Sequence, residues 1–199
     1  MEIQAAVFGP FATNCYFVWT DPRAALLIDA GFMPGALARK AVQLSLQVRA
    51  ILITHGHGDH IVGAEELRQR FACPLYYPEG DLFLATGDFY GEQYEIPQPT
   101  QLVRGGERLS LGGMEIDVLS VPGHSPGHVA YRIGDDLFSG DCLFRDSIGR
   151  FDLAGSDEAE LYRSLQRLLA LGDDVQVHPG HGPATQIGRE RHENPFLQP

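Results

Sequence analysis

Residues 54–60 read THGHGDH, three histidines and an aspartate within six positions, separated only by glycine. Imidazoles and carboxylates rarely crowd in this way for packing. Their shared chemistry is proton exchange and metal ligation. In an extended segment residues i and i+2 point the same way, so His55 and His57 can share one metal ion. Asp59 and His60 begin the turn into the next helix and suit a second ion. This two-residue step in a loop differs from the His-x-x-x-His step of a helical zinc site.

Histidine and aspartate recur in VPGHSPGH (121–128), LFSGDCLF (137–144) and VHPGHGP (177–183). Each stretch follows an apolar run and carries glycine beside the polar group. A loop just past a strand is rigidly anchored, so its side chains can be aimed. His124, Asp141 and His181 are therefore candidate partners of the first motif. Imidazole with some carboxylate favours zinc, iron or manganese over calcium or magnesium. Cys15, Cys73 and Cys142 are isolated, which argues against a closed structural zinc site.

The elements that must hold these loops can be read in outline. Residues 2–8, 14–20, 24–29 and 48–54 read as strands. Pro34 fits a helix first turn, with Leu37, Ala41 and Leu44 following at helical spacing. Ala64, Leu67 and Phe71 mark an amphipathic helix after the motif. Residues 79–100 read as a short helix and then a surface loop. From 101 to 139 the pattern is strands, with glycine pairs at 105–106 and 112–113 as turns. Asp157 and Glu160 have capping-box spacing, and Leu161, Leu165, Leu168 and Leu169 then share a helix face. DVQVH reads as a further strand, followed by a loop and a short tail. The alternation predicts an α/β protein with sheets packed face to face and helices outside.

The chain has 199 residues, 44% of them hydrophobic and 21% charged, with a net charge of −11. The size fits one domain better than two. The acidic balance disfavours nucleic acid and anionic membrane surfaces as partners. No run of ~18 apolar residues is present, so no transmembrane helix is expected. The first basic residue is Arg23, so the N-terminus does not read as a secretory signal. An odd number of scattered cysteines reads as a reduced, cytoplasmic protein. Nothing in the sequence speaks to oligomeric state.

The ordered series THGHGDH, PGHSPGH, SGDCLF and PGHGP resembles the metallo-β-lactamase superfamily along most of the chain. NCYFV, GHSPGHV, GDCLF, SIGRFD and HGPATQIGRERHENPFL narrow the likeness to glyoxalase II, hydroxyacylglutathione hydrolase. The resemblance implies an αββα four-layer sandwich with a two-metal site at one edge. It implies His55, His57 and His124 around a first metal and Asp59, His60 and His181 around a second. Asp141 would bridge the two. The ions would be divalent, zinc foremost, with iron or manganese also accommodated. The implied reaction is hydrolysis of a small-molecule thioester such as S-lactoylglutathione by a metal-bridging hydroxide, with Asp59 and Asp141 orienting it.

Full-length glyoxalase II enzymes add a helical C-terminal domain that contacts glutathione. This chain stops at Pro199, 18 residues after His181, so it is expected to be a single domain over 1–199 without that addition. Arg150 matches a basic residue that the family has after the bridging aspartate. Asp152 stands where the family often has tyrosine. Arg150 and Arg145 are candidates to meet a substrate carboxylate, with Asp152 and Asp146 as alternative partners. Phe89, Tyr90 and Tyr94 are candidates to line a pocket or to pack under their loop. Cys142 reads as a small buried residue, His128 and His178 as groups behind the ligands or stabilising loops, and His192 as structural. Rival readings are a mononuclear-iron persulfide dioxygenase, a lactonase and, from another class, a non-enzymatic metal-binding protein. A β-lactamase is disfavoured by Asp141.

Overall fold

The computed structural model describes residues 1–198. Strands β1 (Glu2–Phe8), β2 (Thr13–Trp19) and β3 (Ala25–Ile28) lead into helix α1 (Pro34–Gln43) and strand β4 (Val48–Leu52). Helices α2 (Gly58–Ile61) and α3 (Ala64–Phe71) follow, then β5 (Leu75–Pro78), the hairpin β6 (Asp88–Phe89) and β7 (Glu92–Gln93), and β8 (Gln101–Val103). The second half holds β9 (Arg108–Leu111), β10 (Met114–Ser120), β11 (Val129–Ile133), β12 (Asp136–Gly140), β13 (Leu143–Phe144) and β14 (Ser147–Ile148). Helix α4 (Glu158–Leu169), β15 (Gln176–Pro179), β16 (Thr185–Gln186) and α5 (Ile187–Glu193) complete the chain.

Two six-stranded sheets result, ordered β1-β2-β3-β4-β5-β8 and β16-β15-β12-β11-β10-β9. Their inner faces meet through Val18, Leu26, Ile28 and Leu52 on one side and Ile116, Val118, Tyr131 and Phe138 on the other. The outer face of the first sheet is covered by α1 and α3, through Leu37, Ala41, Ala64 and Leu67. The outer face of the second is covered by α4 and α5, through Leu161, Leu165, Leu168 and Ile187. This is the expected four-layer αββα arrangement. Strands β3, β4 and β5 run parallel in the middle of the first sheet. Both faces of that region are covered, so ALLI in β3 is buried throughout. Burial of each such aliphatic side chain is worth roughly 1.5–3 kcal/mol.

Helix α4 starts where its spacing predicts: the Asp157 side chain accepts a hydrogen bond from Glu160 N at 2.8 Å. Two segments differ from expectation. Residues 79–100 open with the expected short helix, of 3₁₀ type over Glu79–Leu84, but then form the β6–β7 hairpin within the expected surface loop. The tail after residue 184 is structured as β16 and α5. Its inward face carries Ile187, Glu190 and Asn194, two of them polar, so hydropathy alone does not show it. Buried Glu190 accepts hydrogen bonds from Asp146 N and Arg189 Nη1. No helix among the described residues is long and apolar enough to cross a membrane.

Candidate metal centre

All seven predicted donors come together at one edge of the sandwich. His55 and His57 lie just beyond β4, and Asp59 and His60 sit in the one-turn helix α2. His124 lies in the β10–β11 connection, Asp141 directly after β12 and His181 directly after β15. Three overlapping groups of donor atoms each lie within 4.8 Å of one another: His55/His57/His124, His55/His60/Asp141 and Asp59/His60/His181. The Asp141 carboxylate stands between them. Its Oδ1 is 3.4 Å from His60 Nε2, and its Oδ2 is 3.6 Å from His124 Nε2 and 3.3 Å from His181 Nε2. Asp59 Oδ2 is 3.2 Å from His181 Nε2 and 3.5 Å from His60 Nε2. Gly180 is obligatory here, because a Cβ at that position would lie 2.1 Å from Asp141 Oδ1.

The second nitrogen of most of these rings is already committed, which decides where the first one points. His124 Nδ1 donates to Arg150 O and His181 Nδ1 donates to Phe11 O, each at 2.9 Å. His60 Nδ1 donates to Asp29 Oδ2 at 2.8 Å. The Thr54 hydroxyl donates to Asp29 and so accepts from His55 Nδ1 at 3.0 Å. In the neutral form of each ring Nε2 then carries a lone pair facing the cluster. His57 turns Nδ1 inward instead, 2.9 Å from His124 Nε2. His55 Nε2 and Asp141 Oδ1 are buried without a hydrogen-bond partner. These two unpartnered atoms, with the other ring nitrogens and carboxylate oxygens converging on them, are what metal ions would fill, and the nitrogen–carboxylate set suits a transition metal.

Electrostatics divide the site in two. Burial lowers the pKa of His55 well below the ordinary imidazole value, and His60 adds to the effect. His57 is lowered to about 4 by burial and by His124. These rings are therefore neutral and able to donate lone pairs. Burial also opposes charge on His60, but Asp59, Asp141 and Asp29 together hold its pKa well above the usual value. His181 likewise overcomes burial through Asp141 and Asp59 and rises to about 10. The carboxylate-rich half thus draws positive charge.

Several supporting residues carry no signal in the histidine motifs. Asp29 ends β3 in the left-handed region (φ 59°) and serves His60 and, through Thr54, His55. Fully buried Asp81 accepts from Gly56 N (2.9 Å), Ser125 Oγ (2.6 Å) and Gly127 N (2.6 Å). It thereby ties the His55–His57 loop to the His124 loop. Burial nevertheless raises its pKa. Asn14 Nδ2 donates to Pro179 O (2.9 Å) and Gly182 O (2.8 Å), and Tyr16 Oη donates to Pro179 O (2.7 Å). The NCY stretch of β2 therefore grips the loop that carries His181. The acid at the end of the buried strand in LLIDAG is the one sequence signal that could have pointed to Asp29.

The remaining predicted groups fall as follows. A cavity of about 440 Å³ opens above the cluster, lined in part by Phe89, Tyr90 and Arg150. Tyr94 packs instead against the core beneath the first sheet. Arg150 pairs with Asp152, whereas Arg145 pairs with Asp146 at 3.8 Å and does not line the cavity. Cys142 is buried, and burial pushes its thiol up to about 12. His178 stacks on Phe138 and bonds Asp136 at 2.7 Å, away from the centre. His128 is buried behind His55, ring centroids 4.8 Å apart, with neither nitrogen hydrogen-bonded. His192 is exposed on α5.

The chain belongs to the metallo-β-lactamase superfamily, whose family model matches residues 8–181. It is 34% identical over 208 residues to hydroxyacylglutathione hydrolase GloC of Haemophilus influenzae, covering 99% of this chain and 98% of that protein. The crystal structure of the BLEG-1 B3 metallo-beta-lactamase has a TM-score of 0.94 at 34% identity, with both chains fully covered. TTHA1623 in a di-iron-bound form has a TM-score of 0.89 at 40% identity, covering 98% of this chain and 100% of that one. ETHE1 from Myxococcus xanthus has a TM-score of 0.84 at 28% identity, covering 99% and 84%.

Proposed function

We propose that this protein is a dinuclear metal-dependent thioester hydrolase with activity toward substrates such as S-lactoylglutathione. The observation that carries the reading is the Asp141 carboxylate shared between two groups of inward-facing donors at the base of a cavity. His55, His57 and His124 would hold one ion, Asp59, His60 and His181 the other, and Asp141 both. Similarity to the hydroxyacylglutathione hydrolase GloC supports the choice of thioester. Similarity to a di-iron-bound protein makes iron as admissible as zinc.

Two divalent ions, when bound, supply Lewis acidity toward a carbonyl oxygen and acidify water toward neutral pH. Asp59 Oδ2 is fixed by the Thr13 hydroxyl at 3.0 Å, so this carboxylate can direct the attacking water by accepting its proton in a hydrogen bond. Phe11, Leu84, Phe89 and Leu153 on the cavity wall exclude bulk water from the carbonyl. A thiol ionises near ~8.5, so a thiolate departs with little help from an acid. No side-chain nucleophile is needed, and the Cys15 and Cys142 thiols are withheld by burial, which raises both to about 12.

The test is metal content and S-lactoylglutathione hydrolysis measured on one sample. The expected result is about two ions per chain and hydrolysis that disappears on chelation and returns with metal. Tight metal binding without hydrolysis of any thioester or ester would make the protein a non-enzymatic metal binder. Oxygen uptake with glutathione persulfide would make it a dioxygenase, and ring opening of a homoserine lactone a lactonase. The likeness to BLEG-1 adds a β-lactam to the panel.

A further inference from the structure

We propose that Asp152 tunes substrate choice by occupying one edge of the Arg150 guanidinium, so that glutathione thioesters such as S-lactoylglutathione are accepted but bind less tightly than thioesters whose non-reacting part is apolar and uncharged. The inference rests on the hydrolase reading and concerns what that site accepts. Arg150 is the only lysine or arginine lining the cavity among the described residues. Its Nε and Nη2 donate to Asp152 Oδ1 and Oδ2 at 2.9 and 3.0 Å, so the Nε/Nη2 edge that would grip a substrate carboxylate is taken and only the Nη1 side is left. The Arg150 backbone is fixed as well, because its carbonyl accepts from His124 Nδ1. An anionic substrate therefore has to displace the Asp152 carboxylate from that edge or bind at Nη1 beside it, on a chain of net charge −11.

The apolar part of the wall is largely aromatic, and three of its rings meet from two separate elements. Phe11, in the β1–β2 turn, lies 5.5 Å from Phe89 and 5.6 Å from Tyr90 between ring centroids. Phe89 and Tyr90, from the β6–β7 hairpin, are 4.8 Å apart. The Phe89 ring sits so closely on Gly58 of the metal motif that a Cβ there would lie 2.2 Å from it. Phe144 and Leu153 continue the apolar lining on the other side. Such a wall recognises a phenyl or alkyl group by burial and ring contact. Among the described residues it offers no lysine or arginine besides the Asp152-paired Arg150 for the carboxylates of a glutathione moiety.

Binding and hydrolysis are tested separately on the metal-loaded full chain. Two non-hydrolysable thioethers, S-benzylglutathione (anionic) and S-benzyl-N-acetylcysteamine (uncharged), are titrated by calorimetry. The wild type is expected to bind the uncharged probe at least fivefold more tightly. D152N and D152A are each expected to shift the ratio of the two dissociation constants five- to tenfold toward the glutathione probe, and R150Q/D152N to return it to the wild-type ratio. F11A should weaken both probes fivefold or more. A wild-type preference for the anionic probe, or a ratio unmoved in both Asp152 variants, overturns the proposal whatever the enzyme hydrolyses. Expected ratios together with no thioester hydrolysis would defeat the hydrolase reading and leave the binding preference standing.

Discussion

An imidazole holds one nitrogen toward a metal most firmly when something else takes the other, and four of the five rings here have such a partner, which differs from ring to ring. Backbone carbonyls serve His124 and His181, while Asp29 serves His60 directly and His55 through Thr54. One carboxylate therefore orients a candidate ligand in each half of the centre. In D29N the amide can accept at one atom only. Its NH₂ would face either the His60 Nδ1–H or the Thr54 donors, and a switched His60 tautomer would put a proton on the nitrogen meant for metal. The expected result is metal affinity about 10–100-fold weaker with the fold retained, measured by competition against a chromophoric chelator. Unchanged affinity would remove Asp29 from this role. The seven donors stood out in the sequence because they cluster in glycine-rich motifs. Asp29 and Asp81 did not, because a lone acid gains its role from neighbours 25–46 residues away.

At the scale of elements, the site is a set of loops fixed to strand ends and then to each other. Asp81 is the clearest of these fixings, with three donors from two ligand-bearing loops on one carboxylate. D81N would set an amide N–H against at least one of those donors. It should lower unfolding free energy by about 1–3 kcal/mol in urea titrations of chelated protein, so that changes in metal affinity do not enter. A change below about 0.5 kcal/mol would mean that the loops hold without it. The short helix that carries Asp81 was legible, but the β6–β7 hairpin was not, because its two-residue strands are too short to show a period. Phe89 reads as a loop aromatic until Gly58 is known to lie beneath it. Helix α5 was missed for the opposite reason: its buried face includes Glu190, with buried Asn194 capping its end, and hydropathy assigns both to solvent.

In the whole molecule the donors come from both sheets. His55, His57, Asp59 and His60 follow β4 of the first, and His124, Asp141 and His181 follow strands of the second. Metal binding should therefore join the two halves of the sandwich. A ligand at 1,000 times its dissociation constant stabilises the native state by about 4 kcal/mol. For a chain of this size that corresponds to a Tm higher by roughly 8–16 °C. Calorimetry of chelated and metal-loaded protein should show a difference of that order, and equal melting temperatures would mean that the ions do not bridge the layers.

The sequence by itself determined the layer architecture and the seven donors, because strand alternation, helical spacing and His/Asp motifs at strand ends are local patterns. It could not tell that β8 joins the first sheet while β9 and β10 join the second, although all three read alike. Nor could it tell which nitrogen of each histidine faces inward, or that Asp152 takes one edge of the Arg150 guanidinium. Those depend on distances between residues remote in the chain or on the direction of a side chain, and only the packing of the two sheets decides them.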